Sequence, residues 1–354
     1  MNAPQTITAP AMMFASDNTG PAHPKVMEAL GRANEGHAMP YGADPLMEGV
    51  RERLRDLLGW PDAAVHLVAT GTAGNSLALA CLAKPWSAVF CARHAHVQED
   101  ECNAPEFFTG GAKLVLVDGP DGKMAPDALR EAIAREESRG VHGPQRGPVT
   151  VTQATEKGTV YTPAELAALR EAAGPLPMHL DGARFANAVA SLNAPAAQVV
   201  EGFDAITFGG TKNGLLGVEA VALRDPSLGW EFELRRKRGA HLFSKHRFLS
   251  AQMAAYLEDD LWLETARMAN AAAGRLASGL RAAGAALVFE PQANILFARF
   301  PRAAHRRLHE AGARYYLWDG TLDGDPEEPL TARLVCGWST EEAAVDRFCE
   351  TLAG

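Results

Sequence analysis

The sequence predicts an α/β protein, a mostly parallel sheet flanked by helices, followed by a smaller α+β C-terminal domain. Three observations carry this. Short apolar runs recur at 66–70, 88–92, 113–117, 149–153, 178–181 and 205–208. Helical patterns separate most of them, at 75–84, 126–138, 163–173 and 184–192. Short buried strands with intervening helices make βαβ units and a parallel sheet covered on both faces. After Leu223 the alternation stops and Ala-rich helical sequence takes over.

Each element has a local reason. Residues 1–15 are rich in Ala and Pro without periodicity, and are expected to form an N-terminal arm. The stretch 49–58 puts Val50, Leu54, Leu57 and Leu58 on one helical face. The stretch 75–84 is apolar nearly all round, so a buried helix is expected. A further apolar run, 218–223, follows the one at 205–208 across a Gly-rich turn. Helices are expected from about 230 to 283, including a long one near 255–283 that joins the two domains. Strands at 286–290, 295–300, 314–318 and 331–337 then share the C-terminal domain with helices at 303–311 and from 340. The acidic, Gly- and Pro-containing segment 319–329 is expected to be a surface loop. The domain limits read in this way are 1–15 for the arm, 16–255 for the large domain and 256–354 for the small one.

Composition narrows the classes of function. The chain has 354 residues, enough for two domains and a large core, and its 47% hydrophobic and 22% charged residues suit a globular protein. A net charge of −9 argues against a general nucleic-acid binder. The densest basic run, Arg235 to Arg238, is short and reads first as a solvated helix face. Cys81, Cys91, Cys102, Cys336 and Cys349 are scattered, without a CxxC pair, so neither a disulfide framework nor a zinc ribbon is indicated. No stretch approaches the ~18 apolar residues of a membrane span, and no basic-then-apolar leader opens the chain. A cytoplasmic setting is the expectation.

Four segments could carry chemistry, each following a strand-like run. Thr70-Gly71-Thr72-Ala73-Gly74-Asn75-Ser76 turns from strand to apolar helix, where free N–H groups and hydroxyls can hold a phosphate. It is neither a dinucleotide fingerprint nor a P-loop. Arg93-His94-Ala95-His96 follows the run at 88–92, and an imidazole there could stack on a flat ring or be a hydrogen-bonded strand-end histidine. Its spacing fits no zinc signature, and no metal is expected. His179-Leu180-Asp181-Gly182-Ala183-Arg184 ends the run at 178–181 in a carboxylate. Asp181 could cap the next helix as well as pair with a ring nitrogen. Lys212, in Gly209-Gly210-Thr211-Lys212-Asn213-Gly214, is an amine hemmed in by small residues. A lone lysine in such a turn is commonly a solvated one. The order phosphate turn, histidine, acid, lysine is far more specific. It is the arrangement that holds pyridoxal 5′-phosphate, with the lysine forming the Schiff base and the acid pairing with the pyridinium nitrogen.

The chain resembles the threonine aldolase group of the β-eliminating lyase family, within the fold-type-I pyridoxal-phosphate enzymes. The likeness spans most of its length and is carried by Phe14-Ala15-Ser16-Asp17-Asn18, Tyr41-Gly42, Gly71-Thr72-Ala73, Ala95-His96-Val97 and Ala104-Pro105-Glu106-Phe107-Phe108. It continues in Thr152-Gln153-Ala154-Thr155-Glu156, Asp181-Gly182-Ala183-Arg184-Phe185 and Gly209-Gly210-Thr211-Lys212-Asn213. The resemblance implies retro-aldol cleavage of L-threonine, L-allo-threonine and related β-hydroxy-α-amino acids to glycine and an aldehyde. It makes Lys212 the Schiff-base lysine, Asp181 the pyridinium partner and His96 the ring-stacking residue and candidate base. Gly71, Thr72 and Thr211 become phosphate ligands. Arg184 lies near the cofactor hydroxyl and substrate carboxylate, and Ser16 and Arg333 bind that carboxylate. Tyr41 is donated by a neighbouring subunit, which implies a homo-oligomer, a dimer of dimers. Lys237 and Lys245 fall where relatives offer a basic residue to a neighbour's phosphate. Two departures stand out: Ala43 replaces an acid, and Thr70 and Gly74 replace the common Asn and Ala. The rival readings are an aminotransferase, a β-elimination lyase or a phenylserine-preferring aldolase on the same cofactor, and a cofactor-free binding protein on the same fold.

Overall fold

The computed structural model describes residues 11–354. The first ten residues of the expected arm lie outside the described part. The chain divides into two compact units. The larger takes Ala22–Glu156 and Val160–Glu264; the smaller takes, of the described residues, 11–21, Lys157–Thr159 and Thr265–Gly354. The sequence placed these limits at 15 and 255.

The larger unit is built on a seven-stranded sheet, β1 (Ala64–Val68), β2 (Ser87–Ala92), β3 (Lys113–Val117), β4 (Gln145–Thr152), β5 (Met178–Gly182), β6 (Ala205–Gly209) and β7 (Glu219–Leu223), in the order β1-β7-β6-β5-β4-β2-β3. β7 runs antiparallel to both β6 and β1. The other neighbouring pairs are parallel. Hence β1 to β6 all point one way, and their carboxyl ends share one edge of the sheet. β2, β5, β6 and β7 are buried along their whole length, as strands covered on both faces must be. The apolar runs of the sequence therefore mark these strands well, to within a few residues at each end.

Helix Gly71–Leu82 is the most buried helix of this unit. It follows β1 and brings Leu77 and Ala78 into a core with Val68, Ala205, Val221 and Phe232. Its approach to the sheet depends on Gly74. A Cβ there would lie 2.5 Å from Thr207 Cγ2 on β6. This is the physical reason for one of the departures seen in the sequence, a glycine at a position where alanine is common. The helix Pro24–Ala33 carried no strong sequence signal beyond its proline at the first turn.

The smaller unit holds four antiparallel strands, β8 (Ala286–Leu287), β9 (Ile295–Pro301), β10 (Tyr316–Leu317) and β11 (Pro329–Val335), in the order β10-β11-β9-β8. Helices Arg302–Glu310 and Glu342–Ala353 accompany them. Leu276, Leu280, Leu296, Leu334 and Phe348 form its core, and Met12 and Phe14 join it. Phe14 meets Phe348 edge-on with ring centroids 5.1 Å apart.

Candidate active site

The shared edge of the parallel strands gathers the expected residues of the larger unit. Gly71 follows β1, His96 follows β2, Glu156 follows β4, Asp181 ends β5 and Lys212 follows β6. Ligands of open α/β sheets bind at this edge, where backbone turns leave polar groups unpaired.

The first turn of helix Gly71–Leu82 opens there. Thr70 is its N-cap, with a side chain that accepts from the Ala73 N–H at 3.2 Å. Gly71 and Thr72 are thus the first two helical residues, whose N–H groups have no partner within the helix. With the positive end of the helix dipole behind them, they suit an anion.

Asp181 is 1% exposed. Its Oδ1 accepts from the Ala183 N–H at 3.2 Å, while its Oδ2 is buried without a hydrogen-bond partner. It does not cap the helix that follows. Helix Phe185–Leu192 starts after Arg184 and has no side-chain cap bond, so the capping alternative fails. Two residues earlier on the same face, His179 is fully buried between Thr150 Oγ1, at 2.9 Å, and Thr207 Oγ1, at 3.1 Å. Burial lowers its pKa to about 3, so it is a neutral structural imidazole.

Lys212 is half-buried in a single helical turn, Thr211–Asn213, between β6 and β7. The turn is pinned on both sides. The Asn213 side-chain amide donates to the Tyr256 hydroxyl at 2.6 Å and to the Trp262 carbonyl at 2.8 Å. Tyr256 donates to the Gly209 carbonyl at 3.2 Å. Before the lysine, the Gly210 N–H donates to Glu219 Oε2 at 2.7 Å. Thr211 Oγ1 accepts from the Val218 N–H at 3.2 Å and its hydroxyl bonds to Glu219. The Thr211 side chain is therefore already engaged within the turn.

His96 Nδ1 lies 2.9 Å from Glu101 Oε1, which also accepts from the Asn75 side-chain amide at 2.8 Å. Glu101 is 3% exposed, and burial raises its pKa against the help of His96 and Asn75. Burial alone would lower the pKa of His96. The hydrogen bond to Glu101 and the charge of Asp181 outweigh it and hold the imidazole above its ordinary value, while Lys212 pulls the other way. His96, Asp181 and Lys212 thus share one electrostatic field. Arg184 is 4% exposed, with Nη1 3.8 Å from Glu156 Oε2.

The remaining expected residues have other surroundings. Tyr41 is 47% exposed, with a left-handed backbone (φ 59°). The Lys237 ammonium lies 5.2 Å from its ring centroid, and Ser244 Oγ lies 3.4 Å from its hydroxyl. Ser16 and Arg333 belong to the smaller unit. Ser16 caps a short turn by accepting from the Asn18 N–H at 3.1 Å. Arg333 lies on β11, where Val335 donates to the Phe14 carbonyl at 2.9 Å, so that β11 and the segment carrying Ser16 run side by side. His94 bonds Glu99 at 2.8 Å on the surface. Among the described residues, no group of three or more His, Cys, Asp and Glu could hold a metal ion.

Sequence reasoning missed Glu101, Asn75 and Glu219. Glu101 and Asn75 fell inside motifs singled out for other members. Glu219 was hidden in an apolar run, and a lone carboxylate in such a run was itself the signal.

The site fits pyridoxal phosphate on its own chemistry. A buried carboxylate oxygen without a partner, Asp181 Oδ2, suits a protonated ring nitrogen. Lys212 offers the amine, and Gly71 and Thr72 the anion site. The comparisons point to the same cofactor. Over 345 residues the chain is 39% identical to the low specificity L-threonine aldolase of Pseudomonas sp. strain NCIMB 10558, covering 96% of each chain. It is 38% identical to that of Pseudomonas aeruginosa over 340 residues, covering 95% of each. The solved threonine aldolase of Leishmania major superposes with a TM-score of 0.90 at 29% identity, over 96% of this chain and 98% of that one. The architecture is that of the fold-type-I pyridoxal-phosphate enzymes, and the beta-eliminating lyase family model matches residues 13–302. The chain belongs to the beta-eliminating lyase family.

Proposed function

We propose that Lys212, Asp181 and His96 carry a retro-aldol cleavage of β-hydroxy-α-amino acids, with pyridoxal 5′-phosphate as cofactor. The activity is that of a low-specificity L-threonine aldolase, a carbon–carbon lyase acting on L-threonine and L-allo-threonine. The cofactor is pyridoxal phosphate. When bound, its conjugated ring accepts the electron pair released as the Cα–Cβ bond breaks. The observation that carries the reading is Asp181 Oδ2, buried and unpaired at the strand end beside the Lys212 turn. A carboxylate left in this way stabilises positive charge on the ring nitrogen.

The remaining roles belong to the chain. Lys212 anchors the cofactor, and Gly71, Thr72 and Thr211 hold its phosphate. With Nδ1 of His96 committed to Glu101, Nε2 is the nitrogen left to take the β-hydroxyl proton. Arg184 steadies the cofactor side of the substrate. Ser16 and Arg333 receive the substrate carboxylate, an assignment that rests on family resemblance, and a guanidinium fork suits it. Tyr41 acts in the site of a neighbouring subunit of a homotetramer, a dimer of dimers, in the cytoplasm. Among the described residues no helix is long and apolar enough to cross a membrane.

The test is to incubate the protein with L-threonine and follow acetaldehyde and glycine, against ammonia and keto acid. Acetaldehyde with glycine supports the reading; ammonia or keto acid in their place sinks it. Lys212→Ala is expected to lose the visible absorbance of the loaded protein and nearly all turnover. Arg333→Ala is expected to raise KM far more than it lowers stability.

A further inference from the structure

Glu219 is the first residue of β7, and the aldolase reading gives it no task. It is 5% exposed, at the head of a strand whose other members, Ala220 to Leu223, are apolar and buried. It reaches back over the turn that carries Lys212. Its Oε2 accepts from the Gly210 N–H at 2.7 Å, and it bonds the Thr211 hydroxyl. One carboxylate thus grips the two residues before the lysine.

Tying a turn does not call for a charge. A glutamine oxygen would accept the same N–H, and a buried carboxylate carries a desolvation cost that a neutral amide does not. Burial pushes its pKa up to about 7, and the bonds to Thr211 and Gly210 and the nearby Lys212 charge only partly offset this. Among the described residues, the cation that acts on it is Lys212. The titratable groups that act on Glu219 are Lys212 in the turn and Tyr256 in helix Arg247–Leu257. The flanking strands β1 and β6 set Val68 and Gly209 opposite it, and neither titrates.

We propose that Glu219 is a positioning residue that acts as the counter-charge of the Lys212 nitrogen, holding that nitrogen cationic while it anchors the cofactor. Glu219 thereby sets the pH range over which the loaded site keeps its working form. The inference rests on Lys212 being the anchoring amine.

The experiment uses the cofactor-loaded protein and reads the pH midpoint at which its visible absorbance band titrates. Removing a nearby negative charge makes a cation easier to deprotonate, so Glu219→Gln is expected to move the midpoint down by about one pH unit. Glu219→Asp, which keeps the charge, should stay within a few tenths of a unit. Glu219→Met, apolar and of similar length, is a second neutral variant and should shift the midpoint as the glutamine does. It serves if the glutamine variant does not fold, since apolar replacements of buried charges are well tolerated. A folded neutral variant with the wild-type midpoint overturns the proposal and leaves the cofactor reading standing. A wild-type protein without a visible band would instead refute the anchoring role of Lys212.

Discussion

Glu101→Gln tests how the site sets the basicity of His96. In the native site the imidazole Nδ1 faces Glu101 Oε1 at 2.9 Å, and the carboxylate is almost wholly buried. A hydrogen bond to a charged partner contributes about 1.5–3 kcal/mol, and one between neutral groups about 0.5–1.5. Glutamine keeps the shape and an oxygen for Asn75, and loses the charge. The difference between the middles of these ranges, about 1.3 kcal/mol, corresponds to about one pKa unit. The His96 pKa, which lies above its ordinary value in the native protein, is therefore expected to fall by about that much. Two readouts follow. Imidazole NMR titration should show the fall directly. The acid limb of kcat/KM should move to lower pH by the same amount, because a base must be neutral to accept a proton. The sign for stability is the reverse of a carboxylate's. The raised pKa of His96 stabilises the fold at pH values below ~6.5, and that contribution is lost as pH rises through the folded value. A folded Glu101→Gln protein whose His96 titrates as in wild type would refute the reasoning, since Glu101 would then not be the group that raises it.

Asp181→Ala should lower kcat by orders of magnitude while the protein stays folded, because it removes the partner of the ring nitrogen and leaves no buried charge behind; wild-type turnover would exclude the role. Gly74→Ala should cost about 1–3 kcal/mol by overpacking and lower Tm, because the new methyl meets Thr207 at 2.5 Å; an unchanged Tm would show that the helix can retreat freely. Stability should decline in acid as His179 is forced to charge. Its folded pKa, about 3, lies below the unfolded ~6.5, so its contribution is complete above 6.5 and is lost progressively toward 3. His179→Asn should flatten that part of the pH–stability curve measured by denaturant unfolding.

Much of the large unit was legible because its strands are buried on both faces. Such strands read as unbroken apolar runs; β3, at the sheet edge and only partly buried, and helix Pro163–Ala173 also matched the sequence reading residue for residue. The ends were less legible where capping chemistry decides them. Helix Gly71–Leu82 begins at the glycine after its Thr70 cap, several residues before its apolar stretch. The order along the chain singled out Lys212, Asp181 and His96, the residues of the proposed site. What could not be read was which neutral-looking neighbours serve them. Asn75 and Glu101 are far from obvious partners in sequence, and only the packing of helix Gly71–Leu82 against the segment after β2 joins them. Direction was hidden too. An apolar run shows a strand but not its sense, so the reversal of β7 was not foreseen, and with it the return of Glu219 to the lysine edge.

That reversal divides the site by chain distance. Lys212 and Glu219 sit in one hairpin, where Gly209 pairs directly with Glu219, so they meet by closing a short loop. The anion turn at Gly71 and Thr72 reaches the same edge only when β1 has docked on the far side of β7, a contact between remote parts of the chain. Closing that loop costs more entropy and comes with the global fold. Lys212 and Glu219 are thus a local unit, and under the proposed roles the phosphate site at Gly71 and Thr72 forms only in a chain whose sheet is complete. Under those roles an unfinished chain would carry the lysine without the cradle that lets it keep a cofactor.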